Sequence, residues 1–270
     1  MPKGLITSLA SLTWDLEPTV SAGLLITAVL YLWAARRYGT DLLRYLFFSL
    51  ALATTFLALE SPIDTVGDHL SQSVHMGQHV LLGVVSPPLF LLGLSPRMAA
   101  AIRSVPLAGW LVAPVPAQVV AALVMIVWHL PPLYDATLTH LPLHIFEHFT
   151  FIGAGLLFWW PVIGVTSATE PRPLNEGFKL LYLLIGTIPQ DAVALVLQFS
   201  RVEFYDFYNH TQRLFAGITP VIDQSIAGAV LMVVGKSSSV IAAIAIFLRW
   251  ARRELGQDSV LELGEGGQPS

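Results

Sequence analysis

Seven stretches of this chain run for the length of a membrane helix with almost no charge: residues 18–36, 42–60, 67–93, 112–129, 140–165, 178–199 and 220–249. Crossing the hydrocarbon of a bilayer takes about 20 such residues in a helix. Lipid offers no hydrogen bonds, so every amide and carbonyl in these runs must find its partner within the segment. The pattern therefore predicts an all-α transmembrane bundle of seven spans, one domain over residues 1–270 with a polar tail at 251–270. A charged fraction of 12% agrees, since soluble domains carry roughly 25%. Pro87 and Pro88 are expected to end or kink the third span, because proline has no amide to donate. The Gly235-Lys236-Ser237-Ser238-Ser239 run is expected to bend or break the seventh.

Lysine and arginine in short loops mark the cytoplasmic side. If the spans alternate, Arg36, Arg37, Arg44, Arg97, Arg103, Arg172, Lys179, Arg249, Arg252 and Arg253 share one side. The other side has Lys3, Arg201 and Arg213, together with Glu60, Asp64, Asp68, Asp135, Glu203 and Asp206. The expected topology places the N-terminus outside and the C-terminus in the cytoplasm. No basic stretch followed by an apolar core and a cleavage site opens the chain, so no cleaved signal peptide is expected. The tryptophans fall mostly near span ends, as an aromatic belt requires. Lipid is thus the expected surrounding. The chain has no cysteine, which excludes disulfides, thiolate metal sites and thiol nucleophiles. It also lacks a basic patch with interleaved aromatics, so nucleic acid is not an expected partner.

On this topology all eight histidines face one compartment. His69, His75 and His79 lie in the outer half of span three, and His129 ends span four. His140, His144 and His148 open span five, and His210 precedes span seven. His75 and His79 are four residues apart, as are His144 and His148, so each pair projects from one helix face. Asp68 and Gln72 extend the first face, and Glu147 lies beside the second pair. Asp191 in span six, after Pro189-Gln190, and Asp223 in span seven, followed by Gln224, sit at similar depth. Ionisable groups within a bilayer are costly and usually mark function. Imidazoles from two helices with a carboxylate suit copper, zinc or iron. The set His75, His79, His144 and His148 is read as metal ligands, with Asp223 as a functional carboxylate. Asp68, Gln72, Glu147, Asp191 and Gln224 are supporting candidates. His129 and His140, at the headgroup boundary, read as structural or accessory, and His69 and His210 as interfacial. Met76 and Met232 read as core packing, although a thioether beside imidazoles favours Cu(I).

Other classes remain open at this point. Paired histidines on facing helices also hold haem in membrane cytochromes. A metal or proton transporter needs polar residues across the whole membrane, whereas the inner halves here are apolar apart from Lys236. A metal-dependent membrane hydrolase or oxygenase is compatible with the cluster, but neither a nucleophile elbow nor an HExxH motif is present. Gly235-Lys236-Ser237 lacks the upstream glycine of a phosphate loop, Val230 standing in its place.

His75-Met76-Gly77-Gln78-His79-Val80-Leu81-Leu82, followed by Pro87-Pro88-Leu89, resembles the third-span motif of CtaG-like cytochrome c oxidase assembly factors. Trp128-His129-Leu130-Pro131 with Leu133-Tyr134-Asp135 resembles part of that family's central block, as do His144-Ile145-Phe146-Glu147-His148 and Phe158-Trp159-Trp160-Pro161. Asp223-Gln224 with Ala227-Gly228 is similar to its last-span motif, in which Leu231-Met232 here replaces a Met-Trp pair. The resemblance covers about residues 20–250. It implies a polytopic protein of the bacterial inner (plasma) membrane that is not an enzyme. It further implies copper, held on the periplasmic side and handed to cytochrome c oxidase subunits or to another copper chaperone. The implied copper residues are His75, His79, His144, His148 and Asp223.

Overall fold

The computed structural model describes Trp14 and residues 16–163, 174–215 and 217–265, with side chains as far as Glu254. Among the described residues every regular element is helical. α1 (Pro18–Tyr38) begins where the Glu17 side chain accepts from the Thr19 amide, and it stops at Gly39. Gly39 has a φ of 78°, which residues with a β-carbon avoid. α2 (Leu42–Glu60) is capped by Asp41, whose carboxylate accepts from the Arg44 amide at 3.0 Å and from Arg44 Nε at 2.9 Å. α3 (Pro62–His69) follows at once and ends at Leu70, and Ser71 then caps α4 (Gln72–Val80). The expected third span therefore starts at Gln72 instead of 67. The Pro62 and Ser71 boundaries carve residues 62–69 into a helix of their own.

Pro87 and Pro88 do not end the third span. A π turn (Leu81–Val85) leads into α5 (Ser86–Gly93), with the Ser86 amide donating to the Leu81 carbonyl five residues back. Two prolines in the next turn cannot supply the amides that Gly83 and Val84 would otherwise receive. The ladder is already shifted to π spacing where that loss falls. Short helices α6 (Pro96–Arg103) and α7 (Pro106–Leu111) lead to α8 (Pro114–Trp128) and α9 (Pro131–Thr137). α10 (Leu141–Ile163), α11 (Glu176–Phe199), α12 (Asp206–Asn209), α13 (Pro220–Val233) and α14 (Ser237–Glu265) complete the order.

Six paths among the described residues are long and apolar enough to cross a membrane: 18–38, 42–60, 72–93, 141–163, 176–199 and 220–254. The expected span at 112–129 is instead α8, 15 residues long and bent by 80° into α9. It makes a seventh crossing only if that pair is taken as one broken span. Leu130-Pro131-Pro132 explains the bend, since the residue before a proline is driven out of helical conformation. The expected break in the last span is present between Val233 and Ser237. The tail expected to be merely polar continues as helix to Glu265. Lys3, Arg172, the 164–165 end of the fifth expected span and residues 266–270 lie outside the described residues.

α10 is central, packing on α5, the π turn and α8, while α13 packs on α4 and α11. These approaches need glycine. A β-carbon on Gly155 would collide with the Gly83 carbonyl, and one on Gly228 would stand 2.6 Å from the Ala194 carbonyl. Outward faces are apolar: α1 exposes Leu25, Ile26, Val29, Leu30 and Trp33 and buries Tyr31 and Ala35. A contiguous apolar exterior is what lipid accepts and water does not.

One end of the bundle is closed by a cap of α3, α9, α12 and the 200–205 segment. Tyr208 Oη donates to the Gly67 carbonyl at 2.8 Å and Tyr205 Oη to the His129 carbonyl at 3.1 Å. The Asp206 amide donates to Asp135 at 3.1 Å, and the Phe204 amide to Gln224 Oε1 at 2.9 Å.

Candidate metal centre

The centre is built from the first two turns of α4 and α10, just beneath this cap. α4 is fixed at its start by Asp223 of α13. That carboxylate accepts from the Gln72 amide at 2.8 Å, the Ser73 amide at 3.3 Å and Ser71 Oγ at 3.1 Å. A carboxylate here satisfies amides that have no partner in the first turn and meets the positive end of the helix dipole. From the helix so anchored, His75 and His79 project on one face, and His144 and His148 project toward them from α10. Ring centroids are 4.3 Å apart within the first pair and 4.1 Å within the second. Between the helices they are 5.5 Å apart for His75–His144, 6.1 Å for His75–His148 and 5.6 Å for His79–His148.

The donor atoms converge into two overlapping sets. His75, His79, Glu147 and His148 form one, and Asp68, His75 and His144 the other; within each, the donor atoms lie within 4.8 Å of one another. His79 Nε2 is 3.6 Å from Glu147 Oε1, and His144 Nδ1 is 3.3 Å from Asp68 Oδ2. The first set is entirely buried. Its polar atoms are nevertheless unpartnered: Nε2 of His75, His79 and His148, Nδ1 of His79 and both oxygens of Glu147. His144 Nε2, His129 Nε2 and Asp68 Oδ1 are in the same condition. A buried polar atom without a partner costs about 1–3 kcal/mol, so this concentration calls for a ligand to which each of these residues could offer one atom. Burial, with the Asp64 and Glu147 carboxylates nearby, pushes the Asp68 carboxyl well above the usual range. A cation at the centre reverses that penalty.

His75 Nδ1 faces Tyr134 Oη at 2.8 Å and Tyr208 Oη at 3.2 Å. Binding a metal through Nε2 requires the proton on Nδ1, and these two oxygens are placed to receive it. A histidine ligand is oriented by such a partner on its other nitrogen. The sequence reading missed both tyrosines. Tyr134 lies within a recognisable motif, but no pattern in the chain points to Tyr208.

The remaining candidates are dispersed. Asp223 belongs to neither donor set, its oxygens being occupied in capping α4. Gln72 is fully buried with both side-chain amide atoms, Nε2 and Oε1, unpartnered. Met76 is enclosed with Val80, Tyr134, Leu197 and Tyr208 in an apolar cluster, against which Met232 packs. The His129 ring lies 6.0 Å from that of His79, with Nδ1 2.6 Å from the Met125 carbonyl. His140 is exposed beside Thr139, and His210 is exposed beside Asp206. Gln224 binds the 200–205 segment through Phe204 and Val202. Asp191 pairs with Lys236 at 2.8 Å, giving the cation at the break in the last span its counter-ion.

Fold and centre together define a class: an all-helical bundle with the apolar exterior of a membrane protein, enclosing a buried imidazole–carboxylate cluster beneath one end. Residues 29–253 match the cytochrome c oxidase caa3 assembly factor family (Caa3_CtaG), and the chain belongs to that family. Curated proteins similar to it include uncharacterized proteins of Mycobacterium bovis and Mycobacterium tuberculosis, each 24% identical over 206 residues. One of Mycobacterium leprae is 26% identical over 205 residues. Each alignment takes in 67% of this chain but only 30% of the relative's own length. No solved structure matches.

Proposed function

We propose that this chain is a copper-holding assembly factor of the bacterial plasma membrane, and not an enzyme. His75, His79, His144 and His148, with Glu147, hold the ion near the outer surface and release it to an oxidase subunit or another copper chaperone. The observation that carries this reading is the buried set of unpartnered imidazole nitrogens and carboxylate oxygens. Imidazole with carboxylate suits Cu(II), zinc or iron. Neither donor set includes a thioether, so Cu(I) is less well served. Copper is chosen over zinc because the family serves an oxidase whose maturation consumes copper.

The orientation rests on charge. Arg36, Arg37, Arg44, Arg97, Arg103, Lys179, Arg249, Arg252 and Arg253 fall toward the end opposite the histidines, whereas Arg201 and Arg213 fall on the histidine side. The basic end is the cytoplasmic one, which turns the centre outward, with the N-terminus outside.

The test combines copper analysis and electron paramagnetic resonance of the purified protein with oxidase assembly in cells. His79→Ala and His148→Ala are each expected to weaken Cu(II) binding at least about tenfold and to reduce the spectroscopic signal of assembled oxidase. A wild-type protein without copper affinity, together with variants that still assemble oxidase, defeats the reading.

A further inference from the structure

The two donor sets differ in depth and share one residue. The difference lies chiefly at Asp68, whose side chain is 16% exposed against 8% for His144, 1% for His79 and 0% for Glu147, with His148 at 6% close to His144. His75, fully buried, belongs to both sets. We propose that Asp68, His75 and His144 form an outer receiving position, and that His75 passes the ion from it to the buried position of His79, Glu147 and His148. This rests on the metal-holding reading above.

In the transfer, His75 Nε2 stays bound while Asp68 and His144 are exchanged for His79, Glu147 and His148. The close spacing makes this a ligand exchange without free diffusion, since donors within each set lie within 4.8 Å of one another. The pivot is held still: the Tyr134 and Tyr208 hydroxyls fix the opposite edge of the His75 ring, and Tyr208 is itself tied to the Gly67 carbonyl. Asp68 is suited to capture, because it is the more exposed member of the outer set and offers Cu(II) an oxygen donor. An unpartnered Asp68 Oδ1 remains beside the oxygen that faces His144. The rival role for Asp68 is to orient His144 alone, as a partner on its Nδ1.

Rates separate the two. A receiving position speeds both arrival and departure, whereas an orienting residue slows departure by holding the ion more tightly. The full-length protein in detergent is mixed with Cu(II) in a stopped-flow instrument and later stripped with excess EDTA. Asp68→Asn and Asp68→Ala are expected to slow both loading and stripping at least about tenfold, with final stoichiometry unchanged. Glu147→Gln is expected to load at the normal rate and to be stripped faster. Stripping from the Asp68 variants that is unchanged or accelerated overturns the relay and leaves a single site. A wild-type protein that takes up no Cu(II) overturns the metal-holding reading as well.

Discussion

Both oxygens of Asp223 accept hydrogen bonds at the start of α4, so its removal acts on the helix that carries His75 and His79. Asp223→Ala is expected to destabilise the protein by about 2 kcal/mol, read as a lower melting temperature in detergent, while copper stoichiometry is retained. Loss of copper at unchanged stability would return Asp223 to the ligand set. Glu203 acts at the same scale, in the 200–205 segment. Burial, reinforced by Asp223 and Asp135, pushes its carboxyl up to about 7, against the opposing effects of the Tyr205 amide and Arg213. A carboxyl raised in the folded state binds its proton more tightly there than in the unfolded chain. Its contribution to stability is therefore complete below the ordinary value of 4.5 and is lost as pH rises through about 7. Glu203→Gln should flatten the decline in melting temperature across that window. An equally steep decline in the variant rules Glu203 out as its source.

At the scale of elements, the centre depends on how closely α10 lies against the π turn. Gly155 sits where any β-carbon meets the Gly83 carbonyl, and Pro87 Cγ is nearly as close. Gly155→Ala must push α10 away, with an overpacking cost of about 1–3 kcal/mol. Because His144 and His148 ride on α10, the same variant should lower Cu(II) affinity although it touches no donor. A melting temperature and affinity both equal to wild type would show that the helices can separate freely. The π turn itself begins two residues after His79, consistent with the frequent placement of such turns at functional sites.

The orientation of the whole molecule is open to a direct test because the chain has no cysteine. Single cysteines at Thr139, beside the capped end, and at Thr40, in the basic α1–α2 turn, can be labelled with a membrane-impermeant maleimide in intact cells. Thr139→Cys should label, and Thr40→Cys should label only after the membrane is opened. The reverse pattern places the N-terminus and the histidines in the cytoplasm.

Much was legible in the chain because lipid imposes simple rules. Long uncharged runs must be helices, and histidines four residues apart must share a helix face. The sequence by itself thus determined the helical class, most of the spans, the break before Ser237 and the four histidines as candidates. The bend at the end of span four was not legible, because hydropathy counts apolar residues without registering what Pro131 and Pro132 impose. Asp223 could not be told from a ligand, since a capping carboxylate and a metal-binding one look alike until the neighbouring helix is in place. Only the tertiary structure joined α4 to α10, and it alone brought Glu147 and Asp68 into the donor sets and Tyr134 and Tyr208 to His75. It also gave Lys236 its partner in Asp191. These pairings join residues up to 133 positions apart, and contacts of that range follow from how helices pack, which no local pattern of residues records.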